Sequence, residues 1–196
     1  MPALTESAAS LTTAPDTGSP ATSYPDGSKL VVQIVGAVAF AHLLNDLIQA
    51  VLPAIYPMLK EKYRLSFGQI GWIALVYQFT ASLLQPWVGL YTDRRPLPYL
   101  LPLGMIVTLA GIAGLAMAGS YPALILASAV IGVGSATFHP EASRVARMAS
   151  GGRFGTAQSA FQVGGNTGSA LGPIVAWGGV LPFGQAGPRG AALLAS

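Results

Sequence analysis

Residues 97–138 read LPYLLPLGMIVTLAGIAGLAMAGSYPALILASAVIGVGSATF, without one Asp, Glu, Lys or Arg. Gly119-Ser120-Tyr121-Pro122 divides the run into two apolar segments. Each is near the roughly 18 to 20 residues that a helix needs to cross a ~30 Å hydrocarbon layer. The neighbouring sequence repeats the pattern. From Leu30 to Leu59 the sole members of the His, Asp, Glu, Lys and Arg group are His42 and Asp46, and from Leu65 to Thr92 there are none. From Phe154 to Pro188 there are again none. Across the whole chain 52% of residues are apolar and 9% charged, against about 25% charged in soluble domains. A soluble enzyme and a nucleic-acid-binding module are excluded, since the net charge is only +3 and the basic residues sit in short joints between apolar runs. Those joints have the composition of cytoplasmic loops in membrane proteins. The absence of cysteine excludes disulfides, thiolate chemistry and Cys-based metal sites.

The reading is an all-α membrane protein with five complete transmembrane helices and the start of a sixth. The spans are about 30–59, 68–91, 97–118, 121–147 and 154–181, with Arg189–Ser196 opening the sixth. Barrel strands are excluded because they alternate in polarity over ~10 residues, whereas these runs are continuous. Glycines inside the runs, such as Gly104, Gly111, Gly132, Gly134, Gly168 and Gly172, suit helices that pack closely in lipid. Residues 1–29 are rich in Ala, Ser, Thr, Pro and Gly, with Glu6, Asp16 and Asp26 the acids, and read as a disordered tail. With that tail inside, the cytoplasmic side receives Lys29, Arg94, Arg95, Arg144, Arg147 and Arg153, and the outer side Lys60, Lys62, Arg64 and Arg189. The balance favours a multi-pass protein of the plasma (inner) membrane with a cytoplasmic amino terminus.

His42, Asn45, Asp46 and Gln49 fall at i, i+3, i+4 and i+7, on one face of the first helix. Asp46 lies about 24 Å along that helix from Leu30 at ~1.5 Å per residue, near mid-membrane. A lipid-facing carboxylate there is untenable. Two readings stay open: a structural knot between helices, or the polar wall of a central cavity with Asp46 as a protonatable site. Pro53 and Pro57 should bend the same helix. In the fourth helix His139, Glu141 and Arg144 form either a proton relay and anion site or an ion-paired helix end, and Arg147 is an anchor. A zinc reading of His139-Pro140-Glu141 fails for want of a second histidine four residues on, so no metal or cofactor is expected.

Gly89-Leu90-Tyr91-Thr92-Asp93-Arg94-Arg95-Pro96 resembles the loop motif of the major facilitator superfamily. There the equivalents of Gly89, Asp93 and Arg94 form a close-packed cytoplasmic gate. Gly168-Ser169-Ala170-Leu171-Gly172-Pro173 resembles the superfamily's antiporter motif, in which Gly168 and Gly172 admit a neighbouring helix and Pro173 bends the pair. Residues 42–46, 54–57, 138–146 and 157–166 are similar to the fosmidomycin-resistance exporters of bacteria, and the similarity runs from about Val35 to about Pro182. The resemblance implies a major-facilitator-like amino-terminal bundle. It also implies proton-coupled efflux of a small antibiotic such as the anionic fosmidomycin, by alternating access. Its partners would be the small-molecule substrate, protons, the lipid bilayer, and a missing carboxy-terminal half or a second chain. Many drug-exporting relatives carry an arginine where this chain has Ser128, so Arg144 or His139 would have to supply any comparable charge for the substrate, and Arg144 is the arginine close to a span interior. The alternative is a non-transporting membrane fragment or subunit-binding helper. An intramembrane hydrolase is disfavoured, since no Ser-His-Asp arrangement stands at helical spacing.

Overall fold

The structure, a computed structural model, describes residues 30–180. The tail over 1–29 and the opening of a sixth apolar helix therefore lie outside the described residues. Six α-helices follow in order: α1 (Val32–Ala54), α2 (Tyr56–Tyr63), α3 (Phe67–Arg94), α4 (Leu100–Met117), α5 (Tyr121–Met148) and α6 (Phe154–Val175). A π-helical turn, Ala176–Val180, continues α6. No strand occurs among the described residues.

Local chemistry sets the boundaries. Proline has no N–H to donate and its ring crowds the preceding turn. With Pro53 and Pro57 one turn apart, the first apolar segment breaks at Ile55 into α1 and α2. Ser66 starts α3 with a reciprocal capping box: its hydroxyl accepts from the Gln69 N–H at 3.2 Å, and the Gln69 side chain accepts from the Ser66 N–H at 2.9 Å. Arg64, just before, takes the left-handed conformation at φ 51° that closes α2. At its other end α3 runs on to Arg94, so Thr92, Asp93 and Arg94 form a last helical turn rather than a loop.

Among the described residues four helices, α1, α3, α4 and α5, are long and apolar enough to cross a membrane. The sequence reading counts five spans from the absence of charge. At 22 residues α6 is long enough, about 33 Å at ~1.5 Å per residue. It falls short on apolarity because Gln158, Ser159, Gln162, Asn166, Thr167 and Ser169 share it with glycines. Freedom from charge and hydrophobicity are different criteria, and α6 meets the first.

Three seams organise the bundle: α1 on α6, α4 on α5 and α3 on α5, with α1 also touching α5. Close backbone approach makes them. At the α4–α5 crossing a Cβ on Gly104 would stand 2.8 Å from the Phe138 nitrogen. Along α1–α6 a Cβ on Gly164 would run into the Ala39 carbonyl, and one on Gly168 into the Leu43 carbonyl. Small residues are what allow such van der Waals packing where lipid supplies no hydrophobic drive between helices. One apolar core joins Leu52, Ile55 and Leu59 to Ile73, Leu115, Leu124 and Ile131, and a second joins Val38, Phe138, Ala142, Ala146 and Phe161. Large apolar side chains such as Trp72, Phe79, Trp87, Ile106 and Leu126 point outward, as a lipid-facing surface requires.

Candidate functional site

Where α1 crosses α5 and α6, the Asp46 carboxylate is held between two imidazoles. His42, one turn before it on α1, places Nε2 3.3 Å from Asp46 Oδ2. His139 of α5 places Nε2 3.0 Å from Oδ1. The far nitrogens of both rings are fixed by backbone. His42 Nδ1 lies 2.8 Å from the Phe161 carbonyl oxygen, and His139 Nδ1 lies 2.9 Å from the Ser135 carbonyl oxygen. A carbonyl oxygen only accepts, so His42 Nδ1 carries the hydrogen and donates it, whereas His139 Nδ1 also has the Ser135 hydroxyl at 3.2 Å, which can donate to it or accept from it. The Phe161 ring stacks on His42 with centroids 3.9 Å apart and planes 17° from parallel, while His139 meets His42 edge-on at 5.0 Å. Gly165 makes the crossing possible: a Cβ there would stand 2.5 Å from His42 Nε2 and 2.8 Å from Asp46 Oδ2.

The cluster borders a cavity of about 720 Å³ between α1, α3, α5 and α6, whose wall includes Asp46, Gln49, Tyr77, Gln85, Ser135 and His139. A second cleft of about 550 Å³ meets it at Ser82, Gln85 and His139 and continues past Ser143, Gln158 and Gln162. His42 and Asn45 sit behind this wall, buried, whereas Asp46 and His139 stand at its surface, about a fifth exposed. Asn45 Nδ2 points to Asp46 Oδ1 at 3.4 Å. Gln49 is held across the cleft by the Tyr77 hydroxyl, which donates to its Oε1 at 2.6 Å. The one-face pattern on α1 thus divides in two: a buried anchor, and a part that faces the cavity. The ligand atoms of His42, Asp46 and His139 lie within 4.8 Å of one another. The His139–Asp46 gap is of hydrogen-bond length, and the His42–Asp46 one lies just beyond it, in ion-pair range.

His139 and Glu141 do not act together. Two residues apart on a helix, they point to opposite sides. Glu141 is fully buried and pairs with Arg144 through two contacts, the Nε–Oε2 one at 3.0 Å. Asp93, at the end of α3, lies close enough to act on the same guanidinium electrostatically. Arg144 is therefore paired with a carboxylate of its own helix. Ser128 is buried, its hydroxyl donating to the Leu124 carbonyl at 2.8 Å. In the loop motif, a Cβ on Gly89 would meet Pro140 at an ordinary 3.8 Å, and Asp93 and Arg94 are exposed. In the antiporter motif, Gly168 and Gly172 face α1 at Leu43, Leu47 and Ala50, and Pro173 lines the main cavity.

Sequence reasoning missed Tyr77, Phe161, Ser135 and Gly165. Tyr77 had a signal, as one of two phenols, with Tyr91, in an apolar run. Phe161 acts through its ring and its carbonyl and Ser135 through its hydroxyl and its carbonyl, each on a histidine, and spacing marks neither.

Comparison with known proteins bears on this arrangement. Residues 38–195 match the Major Facilitator Superfamily. Over 152 residues the chain is 57% identical to the Fosmidomycin resistance protein of Escherichia coli (strain K12), covering 78% of this chain and 37% of that protein. Over 157 residues it is 46% identical to the uncharacterized MFS-type transporter YfnC of Bacillus subtilis (strain 168), covering 80% of this chain and 38% of that protein. The chain thus spans under two-fifths of the length of these relatives. With a helical membrane bundle, glycine-packed seams and a family match over most of its length, this chain belongs to the major facilitator superfamily of membrane transporters.

Proposed function

We propose that the bundle forms one wall of an exporter that expels a small antibiotic such as fosmidomycin in exchange for protons, by alternating access. It would sit in the bacterial inner membrane with its amino terminus in the cytoplasm. The observation that carries this reading is Asp46, a carboxylate in a cavity wall, joined across the α1–α5 crossing to His139 at 3.0 Å. An acid at mid-membrane is a functional group by default, since its burial is costly. Proton exchange at the pair changes the attraction between α1 and α5. That supplies the differential interaction which any shift between inward- and outward-facing states needs. The choice of substrate rests on the name of the Escherichia coli relative. With Arg144 occupied by Glu141, an anionic group in the cavity would meet His139 as the nearest cationic centre.

The test is Asp46→Asn at the matching position of a full-length relative, in a fosmidomycin-sensitive, exporter-deleted host. The amide keeps the size and removes the titration. The protein should insert at wild-type level while the inhibitory concentration falls to that of the empty host. Wild-type resistance would leave Asp46 a structural residue.

A further inference from the structure

We propose that His42, Asp46 and His139 form a binding site for one divalent transition-metal ion of the zinc class, with both Nε2 atoms and the Asp46 carboxylate as ligands and a fourth position open to the cavity. The site stands apart from the export reading, and its test requires no transport.

The donor set selects the metal. Two imidazoles and one carboxylate suit zinc and its first-row neighbours, and three protein ligands with one open position is a pattern that zinc adopts. Calcium asks for six or more oxygens and magnesium for near-ideal octahedral oxygen geometry, a different donor set from this one. On α5 alone a zinc site fails for want of a second histidine. The fold supplies one from α1, where His42 and Asp46 already share a face one turn apart.

The geometry fits. Zinc–nitrogen and zinc–oxygen bonds of about 2.0 to 2.2 Å put tetrahedral ligand atoms roughly 3.3 to 3.5 Å apart. His42 Nε2 stands 3.3 Å from Asp46 Oδ2, and His139 Nε2 stands 3.0 Å from Oδ1. All three donor atoms lie within 4.8 Å of one another, so gathering them on one ion takes side-chain shifts of about 1 Å. A ligating histidine has its other ring N–H held by an acceptor. His42 Nδ1 donates to the Phe161 carbonyl at 2.8 Å, which leaves the Nε2 lone pair turned toward Asp46. For His139, ligation through Nε2 puts the hydrogen on Nδ1, where the Ser135 carbonyl at 2.9 Å and hydroxyl at 3.2 Å can both accept it.

Two neighbours make room for an ion and its water. A Cβ on Gly165 would stand 2.5 Å from His42 Nε2 and 2.8 Å from Asp46 Oδ2, so any side chain there would cover the donors. Asn45 is buried beside the cluster, its Nδ2 3.4 Å from Asp46 Oδ1, and its own Oδ1 has no hydrogen-bond partner. An orphaned buried acceptor calls for a water or an ion, and a water in the fourth position carries the hydrogen it lacks. Ions enter by the cavity of about 720 Å³ that Asp46 and His139 line, with His42 closing the site from behind. With one carboxylate and two neutral rings the loaded site carries net charge +1. The ion joins α1 to α5 through the same atoms that a proton would use.

The chain has two histidines, both in the cluster, so a histidine-specific 15N label reports on nothing else. Met1–Ser196, labelled in this way and placed in lipid nanodiscs, is titrated with Zn²⁺ and then with 113Cd²⁺, whose nuclear spin couples to any nitrogen that it binds. One ion should bind per chain. Both Nε2 signals should be split by the cadmium, and both Nδ1 signals should keep their hydrogen. Asp46→Asn should weaken Zn²⁺ binding by at least the roughly 10- to 100-fold that loss of an outer-shell partner costs, while Glu61→Gln, at an exposed acid on α2, should leave it unchanged. The coupling is read in the unmutated chain, so it decides the matter whether or not a variant folds. No saturable binding, splitting of one ring alone, or splitting at Nδ1 overturns the proposal. So does equal affinity in Asp46→Asn. Metal held by both rings, with wild-type resistance from Asp46→Asn in the full-length relative, would remove the export reading and leave the metal site. No metal held, with that resistance lost, would do the reverse.

Discussion

Replacing Gly168 by alanine should separate α1 from α6 and loosen the proton cluster along with the bundle. A Cβ at this position runs into the Leu43 carbonyl and stands 2.9 Å from the Leu47 nitrogen, about 0.5 Å inside ordinary contact. Both are main-chain atoms of the neighbouring helix, so no rotamer change relieves them, and α1 has to retreat as a body. Overpacking of this kind costs about 1 to 3 kcal/mol. The same retreat stretches the 2.8 Å bond from His42 Nδ1 to the Phe161 carbonyl past useful length, which adds about 1 kcal/mol. The expected loss is about 2 to 4 kcal/mol. Gly71→Ala is the control: nothing lies within 4 Å of its Cβ, and removing a glycine from a helix should gain about 0.5 to 1 kcal/mol. Thermal unfolding in detergent measures both. The two variants should move the midpoint in opposite directions, with the His42 Nδ1 signal disturbed in Gly168→Ala alone. If Gly168→Ala melts with or above Gly71→Ala, the α1–α6 seam is not the close contact described, and the placement of His42 against Phe161 fails with it.

Other outcomes follow from neighbouring contacts. Glu141→Gln leaves the Arg144 guanidinium beside a buried neutral amide and should cost about 3 to 5 kcal/mol by the same melt. An unchanged midpoint would show the pair to be hydrated. Tyr77→Phe removes the donor to Gln49 Oε1, and because Gln49 Nε2 is already buried without a partner, the loss should be about 1 to 3 kcal/mol. For orientation, single cysteines in this cysteine-free chain should react with an impermeant reagent from outside at Lys62 and stay shielded at Arg95; the reverse pattern would invert the topology.

The bundle was legible because membrane helices announce themselves by what they lack. Charge-poor runs located α1, α3, α4 and α5, and where Pro53 and Pro57 pointed to a bend the helix breaks at Ile55. Legibility ended where a feature depends on which surface meets which. Gly168 and Gly172 declared that a helix approaches there, yet spacing along one helix says nothing of the partner, and only the fold shows it to be α1. The helical continuation of α3 through Thr92–Arg94 is not legible in the same way, because polarity marks the end of apolar surface and not the end of a helix.

The site divides along the same line. His42 and Asp46, one turn apart, were readable as neighbours because helical spacing alone joins them. The separation of His139 from Glu141 was readable too, since residues at i and i+2 point apart. What spacing conceals is hydrogen-bond direction. Two histidines near an aspartate are compatible with a charge relay, a metal site or an inert knot. The choice among these turns on which ring nitrogen holds the hydrogen, and for His42 that is decided by the carbonyl of Phe161. Every residue carries a carbonyl, so no sequence pattern marks the one that matters. The α1–α6 glycines matter to the chemistry for this reason: by bringing the α6 backbone against α1, they let a main-chain oxygen fix the tautomer of His42 and so determine where its proton can go.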